Sequence, residues 1–186
     1  PASQGSELAQ IISDCRPVAL ISLDLFLPGL YRVLAQPTST VRSLIITSVQ
    51  GLEKQLPLPP SVPAPRAFDE LLKAGAQAQA PRPTVSAEAL AVLQYTSGST
   101  GNPKGVMLSH RNLLHSIAQT DAWMRAVVPE NAAVLCVIPF FHVFGMTVGL
   151  HLSIAKAYRM VLVPRFDALD LMPVIQLLST YRPTSL

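Results

Sequence analysis

Short apolar runs recur along this chain, and the segments between them carry helical periodicity. The runs are "VALISL" (18–23), "SLIITSV" (43–49), "ALAVLQYT" (89–96), "VMLS" (106–109), "AVLCVIP" (133–139) and "RMVLVP" (159–164). A strand with one wet face alternates apolar and polar residues, whereas a nearly continuous apolar run marks a strand covered on both faces. Between the runs, "SELAQIISDC" spaces Leu8, Ile11, Ile12 and Cys15 as one helical face, with Ser6 as the expected N-cap. "LPGLYRVLA" reads as a turn or two of helix, and "FDELLKAG" as a short helix ending at Gly75. "HRNLLHSIAQTDAWMRAVV" sets Leu113, Leu114, Ile117, Ala118, Ala122, Trp123 and Ala126 on one amphipathic face. "GMTVGLHLSIAKA" and "ALDLMPVIQLLSTY" read as helices, the second despite Pro173, and a further strand is expected to begin at "RPTSL". The pattern predicts an α/β fold of largely parallel sheets flanked by helices.

Composition narrows the function classes. Of the 186 residues, 49% are hydrophobic and 13% charged, against a typical charged share of about 25%. Surfaces so poor in charge are expected to meet other domains or a partner, first of all the rest of the same polypeptide. The net charge is +3, but the arginines are scattered from Arg16 to Arg182 without a stripe or aromatic interleaving, so no nucleic-acid footprint is expected. Cys15 and Cys136 stand far apart in apolar company and read as buried thiols of a reducing compartment. The first residues have no basic stretch followed by an apolar one, so no secretory signal is read. Residues 131–157 are apolar enough to raise the question of a membrane span. Pro139, His142 and Gly145 interrupt them, and they read as a strand, a turn and a buried helix. A cytoplasmic protein is expected, with peripheral membrane contact left open.

Prolines set the organisation. "LPLPPSVPAP" (56–65), Pro81 and Pro83 make residues 56–86 a semi-extended connector around the short helix. It separates residues 1–55, part of a first α/β subdomain, from residues 87–186, an α/β segment that carries the motifs.

The most unusual passage is "QYTSGSTGNPKGVMLSH" (94–110). Gly98, Gly101 and Gly105 allow backbone amides to approach an anion. Thr96, Ser97, Ser99, Thr100 and Ser109 offer hydroxyls to phosphate oxygens or a divalent cation, and Lys104 offers a point charge. A loop of this composition after a buried strand reads as a phosphate grip. It is not a P-loop: counted from Gly98, that pattern needs Gly at Pro103 and Ser or Thr at Gly105. No metal ligand is singled out, since His110 and His115 are not spaced as a pair on one helical face. With His151, they read as structural or surface residues.

"YTSGSTGNPKGVMLSH" resembles the phosphate-loop signature of the adenylate-forming superfamily, which includes acyl-CoA ligases, 4-coumarate-CoA ligase-like enzymes, beetle luciferases and peptide-synthetase adenylation domains. "PFFHVFGM" (139–146) resembles that superfamily's next signature, beside the acid substrate, and the run to "RMVLVPRFD" is most similar to bacterial long-chain fatty acyl-CoA ligases. The resemblance implies part of an N-terminal domain in which a carboxylate attacks ATP, accompanied by Mg2+, to give an acyl-adenylate that CoA then takes. It implies polyphosphate binding by Thr96, Ser97, Gly98, Ser99, Thr100, Gly101, Lys104 and Gly105. It also implies a catalytic part for Lys104 in adenylation and for His142 beside the substrate carboxylate. A fatty acid is the expected acid and an aryl acid the alternative. The superfamily's adenine motif, ribose-binding Asp, hinge and small lid domain have no counterpart here. The chain is therefore expected to be an internal segment, inactive alone; the other class of reading is a non-catalytic binding or interaction fragment.

Overall fold

The computed structural model describes residues 2–48, 58–96, 102–163 and 166–184. The chain forms two compact units: Pro1–Thr84 with Tyr95–Val106, and Val85–Gln94 with Met107–Leu186.

The first unit opens with α1 (Ala2–Cys15), followed by β1 (Ala19–Leu23), a 3-10 turn (Asp24–Phe26), α2 (Leu27–Leu34), β2 (Ser43–Thr47), β3 (Pro65–Ala67) and α3 (Phe68–Gln77). The strands form a parallel sheet in the order β1-β2-β3, with Ala19 opposite Ser43 and Leu44 opposite Pro65. A parallel pair needs a crossover, and α2 lies on the one between β1 and β2. Its apolar residues Leu27, Leu30, Tyr31, Val33 and Leu34 are all buried, and they share a core with Ile12, Leu44, Ile46 and Val62. Leu44 and Ile46 are 0% and 1% exposed, whereas Ile45 between them is only half-buried and Ile21 of β1 is 59% exposed. Here the sheet covers one face fully, where continuous apolar text had predicted two.

Local differences from the sequence reading have physical reasons. α1 begins at Ala2, so Ser6 lies inside it rather than capping it. β3 lies within the stretch read as connector. Pro65 cannot donate to a ladder, and it is tolerated as the first residue of an edge strand. α3 runs past Gly75 to Gln77, and the Gly75 carbonyl accepts from Ala78 N–H at 3.1 Å. Cys15, on the last turn of α1, is half-buried rather than buried.

The second unit contains α4 (His110–Met124), β6 (Ala133–Cys136), a π-helix (Gly145–Leu152) continued by α5 (Ser153–Ala155), β7 (Arg159–Leu162) and α6 (Met172–Tyr181). β4 (Leu90–Thr96) and β5 (Lys104–Ser109) form a two-stranded sheet, one end of which belongs to each unit. β6 and β7 are parallel, and β6 is buried at every residue, as its apolar text predicts. Thr184 lies beside β6: its N–H donates to the Ala133 carbonyl at 2.8 Å, and its Oγ1 accepts from Ala133 N–H at 3.1 Å.

Ser109 caps α4. Its Oγ accepts from Asn112 N–H (3.2 Å), and Asn112 Oδ1 accepts from Ser109 N–H (2.9 Å). The face of α4 turned inward is Leu113, Ser116, Ile117, Thr120, Asp121 and Met124, all half-buried; Leu114 and Trp123 of the expected stripe are 61% and 85% exposed. Asp121 faces inward because it pairs with Lys156 and Arg125, each at 3.0 Å. Those hydrogen bonds, Lys156 first, hold its carboxyl below the usual range. α6 begins at Met172, so Pro173 sits in its first turn, where a missing N–H costs nothing; "ALDL" stays outside the helix. Among the described residues no helix is long and apolar enough to cross a membrane.

The expected helix over residues 145–157 is wider than an α-helix through Leu152. A Cβ on Gly145 would stand 2.4 Å from the Pro139 carbonyl oxygen and 2.7 Å from that of Ile138. Only glycine lets the helix start against the backbone that leaves β6. The helix ends at Ala157, which adopts φ 54°, a conformation that costs a residue with a Cβ about 1–2 kcal/mol.

Two stability effects follow. Ala157→Gly is expected to raise the unfolding free energy by roughly 0.5–1 kcal/mol, because relief of the left-handed strain exceeds the extra unfolded-state entropy. Urea denaturation measures this through its midpoint. Gly145→Ala is expected to do the reverse: helix propensity favours Ala by about 1 kcal/mol, but the collision with two backbone carbonyls outweighs it, for a net loss of roughly 2 kcal/mol or more.

Candidate functional site

The phosphate-loop text begins in β4. Thr96 is the last residue of that strand and is exposed, while Ser97, Gly98, Ser99, Thr100 and Gly101 lie outside the described residues. Lys104 and Gly105, expected in the loop, are the first two residues of β5, which starts directly after Pro103. Proline's fixed φ suits the extended backbone that follows. Lys104 is exposed and makes no ion pair among the described residues.

Tyr95 fixes the base of this loop. Its hydroxyl donates to the Asp14 carboxylate of α1. That hydrogen bond, aided by desolvation, raises the phenol above its ordinary range and keeps it protonated. The Tyr95 ring lies across Gly105, where a Cβ would stand 3.1 Å from Cζ and 3.3 Å from the hydroxyl oxygen. Gly105 thus makes room for an aromatic ring. Beside it, Gln10, Asp14, Asn102, Pro103, Lys104 and Gly105 line an open groove of about 470 Å3. Its amide and ammonium donors are of the kind that bind phosphate oxygens.

The second motif connects β6 to the π-helix. His142 N–H donates to the Pro139 carbonyl (3.0 Å), and the His142 carbonyl accepts from Met146 N–H (2.9 Å). Nδ1 of the imidazole accepts from Phe144 N–H at 3.2 Å. An acceptor at Nδ1 puts the proton of the neutral ring on Nε2, so the exposed edge of His142 is a hydrogen-bond donor. Gln94 of β4 reaches the same loop: its Nε2 donates to the Phe141 carbonyl at 3.0 Å.

Against this motif lies a cavity of about 540 Å3, lined by Val134, Val137, Ile138, Phe144, Val148 and Leu178 among other apolar residues. Among the described residues no charged side chain lines it. Cys136 also faces the cavity, and burial pushes its thiol up, away from the reactive thiolate.

The structure brings Thr96, Lys104 and Gly105 to neighbouring strand ends in the first unit, and it sets His142 in the second. His110 starts α4, His115 lies within it, and His151 lies in the π-helix. Among the described residues no three His, Cys, Asp or Glu gather as a metal site. Sequence reasoning missed Asp14, Tyr95 and Gln94. The two β4 residues sit inside the motif text, where strand alternation could have marked them; Asp14, 81 residues from its partner, carries no local signal.

Known proteins resemble this chain in sequence and in fold. The long-chain-fatty-acid–CoA ligase of Bacillus subtilis is 33% identical over 96% of this chain and 34% of its own length. The 4-coumarate–CoA ligase-like 8 protein of Arabidopsis thaliana is 28% identical over 100% of this chain and 31% of its own. The crystal structure of ATP-bound MatB from Rhodopseudomonas palustris superposes with a TM-score of 0.66 at 23% identity, over 95% of this chain and 31% of that one, and shows the same fold. The chain thus spans about a third of the length of these curated relatives. The family model described as AMP-binding enzyme matches residues 1–186, and the chain belongs to that family of adenylate-forming enzymes.

Proposed function

We propose that this chain supplies the phosphate grip and the acid-recognising motif of a ligase that joins a fatty acid to CoA through an acyl-adenylate. The observation that carries the fatty-acid reading is the apolar cavity beside the His142 motif. Its volume is ordinary for a small-molecule site, and its apolar lining suits a hydrocarbon tail. The family and the ATP-bound relative support nucleotide use, and the relative named as a long-chain-fatty-acid–CoA ligase supports the substrate class.

In this reading the acid's carboxylate attacks the α-phosphorus of ATP, pyrophosphate leaves, and the thiol of CoA then displaces AMP from the acyl carbon. Mg2+ enters with the ATP phosphates. Lys104 gives a positive charge to the β- and γ-phosphates, while the hydroxyls of Thr96, Ser97, Ser99 and Thr100 and the amides of Gly98 and Gly101 donate to their oxygens. Gly105 contributes by admitting the Tyr95 ring. His142 donates from Nε2 to the carboxylate. The work is positioning and charge stabilisation, with no general base needed to activate an already ionised acid.

Two experiments on the complete polypeptide test this. In carboxylate-dependent ATP–pyrophosphate exchange, Lys104→Ala is expected to lower the rate about 10²–10³-fold, while the KM for the acid stays within twofold; a rate within twofold of the parent would remove Lys104 from the site. In a saturated-acid series, each added CH2 is expected to lower the acid KM up to about fourfold until the cavity is full, as burial of roughly 0.8 kcal/mol per CH2 requires. A flat series with a lower KM for coumarate would favour an aryl acid instead.

A further inference from the structure

We infer that Gln94 is a positioning residue for His142: its side-chain amide holds the peptide group that carries the imidazole. The inference rests on the reading of His142 as the partner of the substrate carboxylate.

The geometry is specific. The Phe141 carbonyl and the His142 N–H are the two ends of one peptide group. The carbonyl accepts from Gln94 Nε2 at 3.0 Å, and the N–H donates to the Pro139 carbonyl at 3.0 Å. That peptide plane is therefore fixed from both sides. The ring is fixed next, by Phe144 N–H on Nδ1, and the chain after it by Met146 N–H on the His142 carbonyl. The bonds from Pro139, Phe144 and Met146 are local, so they set the shape of the loop but let it swing as one body. The bond from Gln94 spans 47 residues of sequence and comes from another element. It sets where the loop stands.

A bond that merely reinforced the core would be expected on buried partners. Here Phe141 is 80% exposed and His142 is exposed. What Gln94 orders is a surface loop whose one chemically distinctive side chain is His142. Gln94 itself lies in β4, so the loop is held from a strand and not only by its own turns.

The test uses Gln94→Met in the complete polypeptide, with dodecanoate as the acid in ATP–pyrophosphate exchange. Methionine keeps the length and removes the donor. The acid KM is expected to rise about tenfold, the size of one hydrogen bond lost near 1.4 kcal/mol. The KM for ATP should stay within twofold and the thermal midpoint near that of the parent. In the double mutant, Gln94→Met should add nothing to His142→Ala, because residues acting through one another are not additive. Equal effects in both backgrounds, or an ATP KM that rises as much as the acid KM, would overturn the inference. Should Gln94→Met not fold, Gln94→Leu likewise removes the N–H donor without adding charge and must show the same lack of additivity. If His142→Ala raises the acid KM and the Gln94 variant is silent, the inference alone fails. If His142→Ala leaves the acid KM unchanged, the reading of His142 fails, and the inference falls with it.

Discussion

Neighbouring side chains of a β-strand leave on opposite faces, and in β4 that rule decides how both motifs are held. Tyr95 reaches Asp14 in α1, within the first unit, and its ring covers Gly105. Gln94, one residue earlier, reaches the Phe141 carbonyl, within the second. A slip of one residue would exchange the two side chains and break both connections. None of the strand's residues is fully buried, so its register is held as much by these hydrogen bonds as by burial. The text "QYT" before the glycine-rich loop is therefore structural grammar: two anchors, then the first hydroxyl.

Glycine separates motif residues that carry chemistry from those that make room for it. Gly105 stands in a run that reads as a bare phosphate-binding backbone, yet its missing side chain is needed by a phenol ring. Gly145 stands at the end of "PFFHVFG", and its missing side chain admits the carbonyls of Ile138 and Pro139. The second contact sets where the π-helix begins, and hence where the His142 carbonyl meets Met146 N–H. In both motifs, a glycine fixes the path of the backbone and a neighbour, Lys104 or His142, presents the polar group.

Most of the fold was legible because burial writes itself into composition. β6 and β7 read as strands from unbroken apolar text, and the parallel pairing follows from the helices between strands. β3 was hidden because a three-residue edge strand led by Pro65 looks like the irregular chain around it. The inward face of α4 was misread because an ion pair took precedence over apolar surface: Asp121 turns in toward Lys156, and Trp123 turns out. The π-helix was hidden because a nearly all-apolar segment shows no period to measure. At the candidate site, Lys104 and His142 were named from residue type and motif. Asp14 and Gln94 were not, because their partners lie 81 and 47 residues away, and a single sequence does not display such contacts.

In the proposed reading, the cavity and the imidazole divide the recognition of the acid between them. A carboxylate taken unpaired into an apolar cavity loses its hydration for nothing, at a cost of several kcal/mol. Among the described residues the cavity has no charged group to compensate, so in that reading the acid enters tail first. The tail then supplies affinity, methylene by methylene, and says little about where the head points. Orientation must come from a donor outside the apolar lining. The bond from Phe144 N–H to Nδ1 makes Nε2 of the neutral ring such a donor. A lysine there would bring a full charge that could move on a flexible stem. An imidazole pinned by its own loop instead donates from a fixed place and so gives the carboxylate a direction.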